Sequence, residues 1–176
     1  MSMISKPFRK LVLLAACLGG CAHVLPPSAF EGSAPEMRPE DFFAGVTTSS
    51  GILTNSADSP TQRFSVKGSG LALPDGSFRL DQAVTFDHAA PEMRTWVMRR
   101  LDLHHYNATL TDASGLVEGE TYGNLFHVLY PMRTLFGGQM EQWLYLQPDG
   151  RTVMNEATVR PLVRRGRRAS LRADHT

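Results

Sequence analysis

The chain has 176 residues, 42% hydrophobic and 20% charged, with eighteen basic and seventeen acidic residues for a formal charge of +1. That length suits one domain, and the composition excludes a collagen, a coiled coil and disorder throughout. The charge balance does not indicate a nucleic-acid binder, and two cysteines exclude a disulfide-dense scaffold.

The first twenty residues read as an address. Lys6, Arg9 and Lys10 form a basic head, and Leu11 to Leu18 form an apolar run about half as long as a membrane-spanning helix requires. This is the pattern of a secretory signal peptide. Leu18-Gly19-Gly20-Cys21 matches the bacterial lipobox, in which small side chains fit the peptidase and the thiol accepts a diacylglycerol. Cleavage is expected after Gly20, with lipidation at Cys21. Removing residues 1–20 takes three of the eighteen basic residues and no acid, leaving fifteen against seventeen, a formal −2. Cys17 leaves with the signal and Cys21 becomes a thioether, so thiol chemistry is excluded once the lipobox is used. Acyl chains on Cys21 would hold the protein to a membrane. Ala22, rather than Asp, at the next position is the pattern routed to the outer membrane, facing the periplasm.

Residues 21–40 read as a tether. Ala22 to Glu40 contains Pro26, Pro27, Pro35 and Pro39 among small residues, with no hydrophobic period. The domain is expected from residue 41 to the end, with a basic tail.

From Phe42 onward the pattern is that of strands. Short alternating runs are separated by turn signals at fairly even spacing. Phe78, Leu80, Gln82, Val84 and Phe86 share one face. Arg94, Trp96 and Met98 alternate with Thr95, Val97 and Arg99, and Tyr106, Ala108 and Leu110 with Asn107 and Thr109. Further strands are predicted over Leu116–Tyr122, Leu125–Tyr130, Met140–Gln147 and Arg151–Val159. Pro74-Asp75-Gly76-Ser77 and Pro148-Asp149-Gly150 are turns in which Pro presets φ and Gly supplies a positive φ. Eight to ten strands in sequential hairpins predict an all-β, antiparallel up-and-down barrel, whose closure would remove the free edges. A two-sheet sandwich is the rival architecture.

Phe43-Ala44-Gly45, Arg63-Phe64-Ser65-Val66 with Gly68 and Gly70, and Leu80-Asp81 with Phe86-Asp87 form an ordered set of landmarks. It continues through Arg94-Thr95-Trp96, Tyr106, Thr111-Asp112-Ala113-Ser114-Gly115, Gly119 and Gly123-Asn124 to Trp143-Leu144-Tyr145, Asp149-Gly150 and Asn155. In this order the chain resembles the bacterial lipoprotein family known as domain of unknown function 3833. The resemblance implies a lipocalin-like (calycin-type) barrel in the envelope and a lipid-related task, and it supplies no catalytic residue. Arg160-Pro161-Leu162-Val163-Arg164-Arg165-Gly166-Arg167-Arg168 departs from it, standing where a Phe-Gly strand that closes the barrel is expected.

Several side chains are candidates for chemistry. Asp102 with His104 and His105, and His127 as a third ligand, have the composition of a metal site. Adjacent strand residues point to opposite faces, so a surface histidine pair is the simpler reading and no metal is expected. Glu118, Glu120, Glu141 and Glu156 invite comparison with paired-carboxylate hydrolysis, but an exposed acidic stripe accounts for Glu118 and Glu120. No dinucleotide, P-loop, HExxH or nucleophile-elbow fingerprint occurs. No cofactor and no catalytic residue are therefore assigned.

Trp96, Tyr106, Trp143 and Tyr145 are the expected lining of a ligand cavity, with Arg94 beside Trp96 to meet a lipid headgroup. The alternative is that these rings fill the core. The six arginines from Arg160 to Arg172 suit an anionic membrane surface. The function expected is a lipid-anchored envelope protein that binds or shuttles a hydrophobic molecule. A non-catalytic assembly lipoprotein is the alternative, and an enzyme on lipid or sugar, working through His105 or Glu118, is a third.

Overall fold

The computed structural model of the chain describes residues 25–54, 60–87, 89–133 and 137–160. The signal segment, Gly20 and Cys21 lie outside the described residues, as does the basic run beyond Arg160 where the closing strand was in question.

The described residues form nine strands: β1 (Gly45–Thr54), β2 (Pro60–Ala72), β3 (Phe78–Phe86), β4 (Glu92–Arg100), β5 (His105–Leu110), β6 (Val117–Tyr122), β7 (Leu125–Pro131), β8 (Gln139–Leu146) and β9 (Val153–Arg160). Each pairs antiparallel with the next in one sheet of order β1 to β9. The fold is therefore all-β and up-and-down, a nine-stranded sheet curled into a half-barrel and consistent with a lipocalin-like barrel. Among the described residues no ladder joins β1 to β9.

Alternation decides which side chains meet inside the curl. Phe78 and Leu80 of β3, Met98 of β4, and Tyr106, Ala108 and Leu110 of β5 are buried. Val117 of β6, Phe126, Val128 and Tyr130 of β7, and Leu144 and Leu146 of β8 join them in one cluster. Such a packed core is the principal stabilising element of a domain this size. The hairpins are set by local chemistry. Asp75 Oδ1 accepts the Ser77 N–H at 3.0 Å, and Gly76 takes φ +79°. Asp149 Oδ1 likewise accepts the N–H groups of Arg151 and Thr152, each at 2.9 Å.

The Pro-rich segment departs from the tether expected. From Leu25 it is docked rather than free. A 3-10 turn at Pro27–Phe30 lays Phe30 on Tyr145, ring centroids 5.5 Å apart. Ser33 Oγ accepts the Asn124 N–H at 3.0 Å, and the Gly123 carbonyl accepts the Met37 N–H at 2.7 Å. Met37, 1% exposed, then enters the core, and the short helix α1 (Pro39–Phe42) caps that end of the half-barrel. Pro spacing alone does not show this, because the anchors are a single Met and a single Ser with partners some ninety residues away.

Candidate functional site

Alternation sorts the candidate residues onto two faces. On the inner face, Trp96 meets Tyr130 edge-on at 5.7 Å and donates its indole N–H to Gln82 Oε1 at 2.9 Å. Arg94 pairs with Asp112 Oδ2 at 3.1 Å and approaches Glu92 at 3.8 Å. Its charge is already answered by two carboxylates, so it does not stand free for a headgroup. Asp112 Oδ1 is buried without a hydrogen-bond partner among the described residues. Burial, with the Asp112 carboxylate nearby, pushes the Tyr130 phenol up to about 12.

Tyr106 also points inward, but toward the capped end. Its hydroxyl donates to Glu40 Oε2 at 3.0 Å, and its ring meets Phe126 at 5.8 Å. Burial and the Glu40 charge hold its hydroxyl above the ordinary phenol range. A cavity of about 60 Å³ remains there, between Glu40, Phe78, Met98, Arg100 and Tyr106. It has room for water but not for an acyl chain.

Trp143 and Tyr145 do not join this lining. They alternate with the buried Leu144 and Leu146, so they stand on the outer face. Trp143 packs on His127, centroids 4.3 Å apart, and Tyr145 on Phe30. Trp143 to Leu146 is apolar throughout and each face of this strand also carries a polar residue, Glu141 on one and Gln142 on the other, so periodicity alone does not separate them.

The concave face changes character along its length. At the capped end it is closed by Met37 and α1. Toward the other end, Phe64 and Val66 of β2, Phe86 of β3 and Trp96 of β4 are only half-buried. Phe64 and Phe86 lie side by side at 6.2 Å, in register on paired strands. The sequence reading placed Phe86 on a strand face and named neither ring for the site.

The histidine and carboxylate candidates form two outer-face clusters. Asp102 Oδ1 accepts the N–H groups of His104 and His105, each at 2.9 Å, and faces His105 Nδ1 at 2.9 Å. Those backbone donors hold its carboxyl down at about 2. His104 turns away, stacking on Tyr122 at 4.5 Å with Nδ1 2.9 Å from the Thr121 carbonyl. His127 instead sits between Glu120 Oε1, 3.0 Å from Nδ1, and Glu141 Oε1, 3.1 Å from Nε2. Among the described residues no group of three or more such side chains is placed to hold a metal ion. A groove of about 480 Å³ runs over this face, past Leu101, His105, Leu116, Glu118, Glu120 and Leu129.

A family model described as protein of unknown function (DUF3833) matches residues 15–162. No curated protein and no solved structure matches the chain.

Proposed function

The chain belongs to the DUF3833 family of proteins of unknown function, and from its open concave face we propose a lipid-anchored envelope protein that binds a hydrophobic molecule. The ligand class is an acyl chain, free or in a phospholipid. The observation that carries this reading is the set of half-buried rings on the concave face, Phe64 beside Phe86 with Trp96 nearer the core, away from the closely packed capped end. Aromatic surface left half-covered inside a curl gains from an apolar partner at about 25 cal/mol per Å² removed from water. An extended chain lies along such a trough without a closed cavity. The anchor at Cys21 would hold the trough at a membrane surface, where such ligands are concentrated.

No step of this reading is catalytic, and it needs no cofactor. Native mass spectrometry of protein purified gently from membranes tests it. A co-purifying lipid adduct is expected, and protein consistently free of lipid counts against it. An assembly role is the second reading. It is favoured by the packed core at the capped end and by the exposed Val46 and Leu71 on neighbouring outer strands. Cross-linking in cells that captures one envelope protein reproducibly would favour that role.

A further inference from the structure

The register of β5 to β9 gathers carboxylates on the outer face. Glu141 lies beside Leu129, Leu129 beside Glu118, and Glu118 beside Asn107. In the next row, Glu156 lies beside Trp143, Trp143 beside His127, and His127 beside Glu120. Like charges in adjoining rows repel unless a cation lies among them. Within β5 to β9, Arg160 is the one arginine or lysine. It is in contact with Glu141 Oε2.

Arg160 is also the first arginine of the basic run. Arg164, Arg165, Arg167, Arg168 and Arg172 follow it in sequence and lie outside the described residues. The described chain therefore stops on the acidic band, with one arginine of that run seated there. The groove of about 480 Å³ continues from the band across β7, β6 and β5, with Glu118 and Glu120 in its lining. Leu101 and Leu116 on its walls are more than half exposed.

We propose that this groove is the docking site of the chain's own arginine-rich segment, residues 161–176. Charge complementarity selects the occupant, since guanidinium groups pair with carboxylates in forked geometry. Reach permits it. Three strand spacings separate β9 from β6, roughly 14 Å. Arg164 is four residues beyond Arg160, roughly 13 Å of extended chain. The exposed leucines suit Leu162, Val163 and the aliphatic stems of the arginines. On this reading the basic run neutralises the protein's own surface in preference to an anionic membrane.

The test is zero-length carbodiimide cross-linking in the full chain carrying Arg165→Lys, with the product mapped by mass spectrometry. The expected result is an amide from the introduced amine to Glu118 or Glu120 within one molecule, lost in 1 M salt, where the screening length is about 3 Å. Cross-links confined to other acids, or formed only between molecules, overturn the proposal. So does loss of the cross-link on adding vesicles of anionic lipid at low salt, which assigns the segment to the membrane. A second measurement uses Glu118→Gln with Glu156→Gln, both at exposed positions, with circular dichroism to verify the fold. Trypsin should cut after Arg164 to Arg168 at least tenfold faster than in the unaltered chain, and an unchanged rate overturns the proposal.

Discussion

Trp96 and Tyr130 touch edge-on at 5.7 Å although two strands, β5 and β6, separate the strands that carry them. In a flat sheet, strands three spacings apart lie roughly 14 Å from one another. The contact exists because the sheet curls, and it ties the two walls of the trough together. Trp96→Leu removes this ring pair and the indole hydrogen bond to Gln82. The expected loss is about 2 kcal/mol, below that of a fully buried tryptophan because this ring is half-covered. With an ordinary urea slope, the unfolding midpoint falls by about 1 M. An unchanged midpoint would mean that the contact does not support the curl.

Gly123 controls how the N-terminal segment docks. Its φ is +52°, and a Cβ there would lie 2.1 Å from the Phe30 carbonyl oxygen. Gly123→Ala therefore meets both a left-handed backbone penalty of about 1 kcal/mol and a backbone clash. The 3-10 turn and the Met37 anchor are expected to detach while the strands persist. Limited digestion with a glutamate-specific endopeptidase reads this as new cleavage after Glu40, with the nine-stranded fragment from Gly45 onward surviving.

Tyr130 ties stability to alkaline pH. Its folded value near 12 lies above the ordinary phenol value of 10.0. The folded state therefore favours the neutral phenol. Its contribution is complete below pH 10 and is lost as pH rises through about 12. Tyr130 should give no phenolate absorbance until the protein unfolds. Comparison with Tyr130→Phe isolates its step in a spectrophotometric titration. A Tyr130 step near pH 10 in folded protein would contradict this placement.

Much of the fold was legible in the residues. Alternation in Phe78–Phe86 and Tyr106–Leu110, with the Asp-Gly turns at Asp75 and Asp149, located strands and hairpins because period and turn chemistry are local properties. β1 was harder, since its Gly, Ser and Thr residues give no apolar contrast. The candidate site was read less well. Arg94, Trp96 and Tyr106 do point inward, but Trp143 and Tyr145 pack on the outer face. Leu144 and Leu146 take the inner positions between them, and the apolar run Trp143–Leu146, in a strand with a polar residue on each face, does not reveal its facing. The docking of Met37 and Ser33 depends on partners distant in the chain, beyond the reach of local composition.

The anchor is testable apart from the trough. In bacteria fed labelled palmitate, the unaltered chain should carry label and Cys21→Ser should not. Label retained after the substitution would place the acyl group elsewhere.

The most direct measurement is titration of the protein with a fluorescent fatty acid, beside a Phe64→Ser, Phe86→Ser variant whose circular dichroism matches the parent. The account predicts saturable binding near one ligand per chain, with affinity falling at least tenfold in the variant. Absence of uptake by the parent, or equal uptake by both proteins, would contradict it.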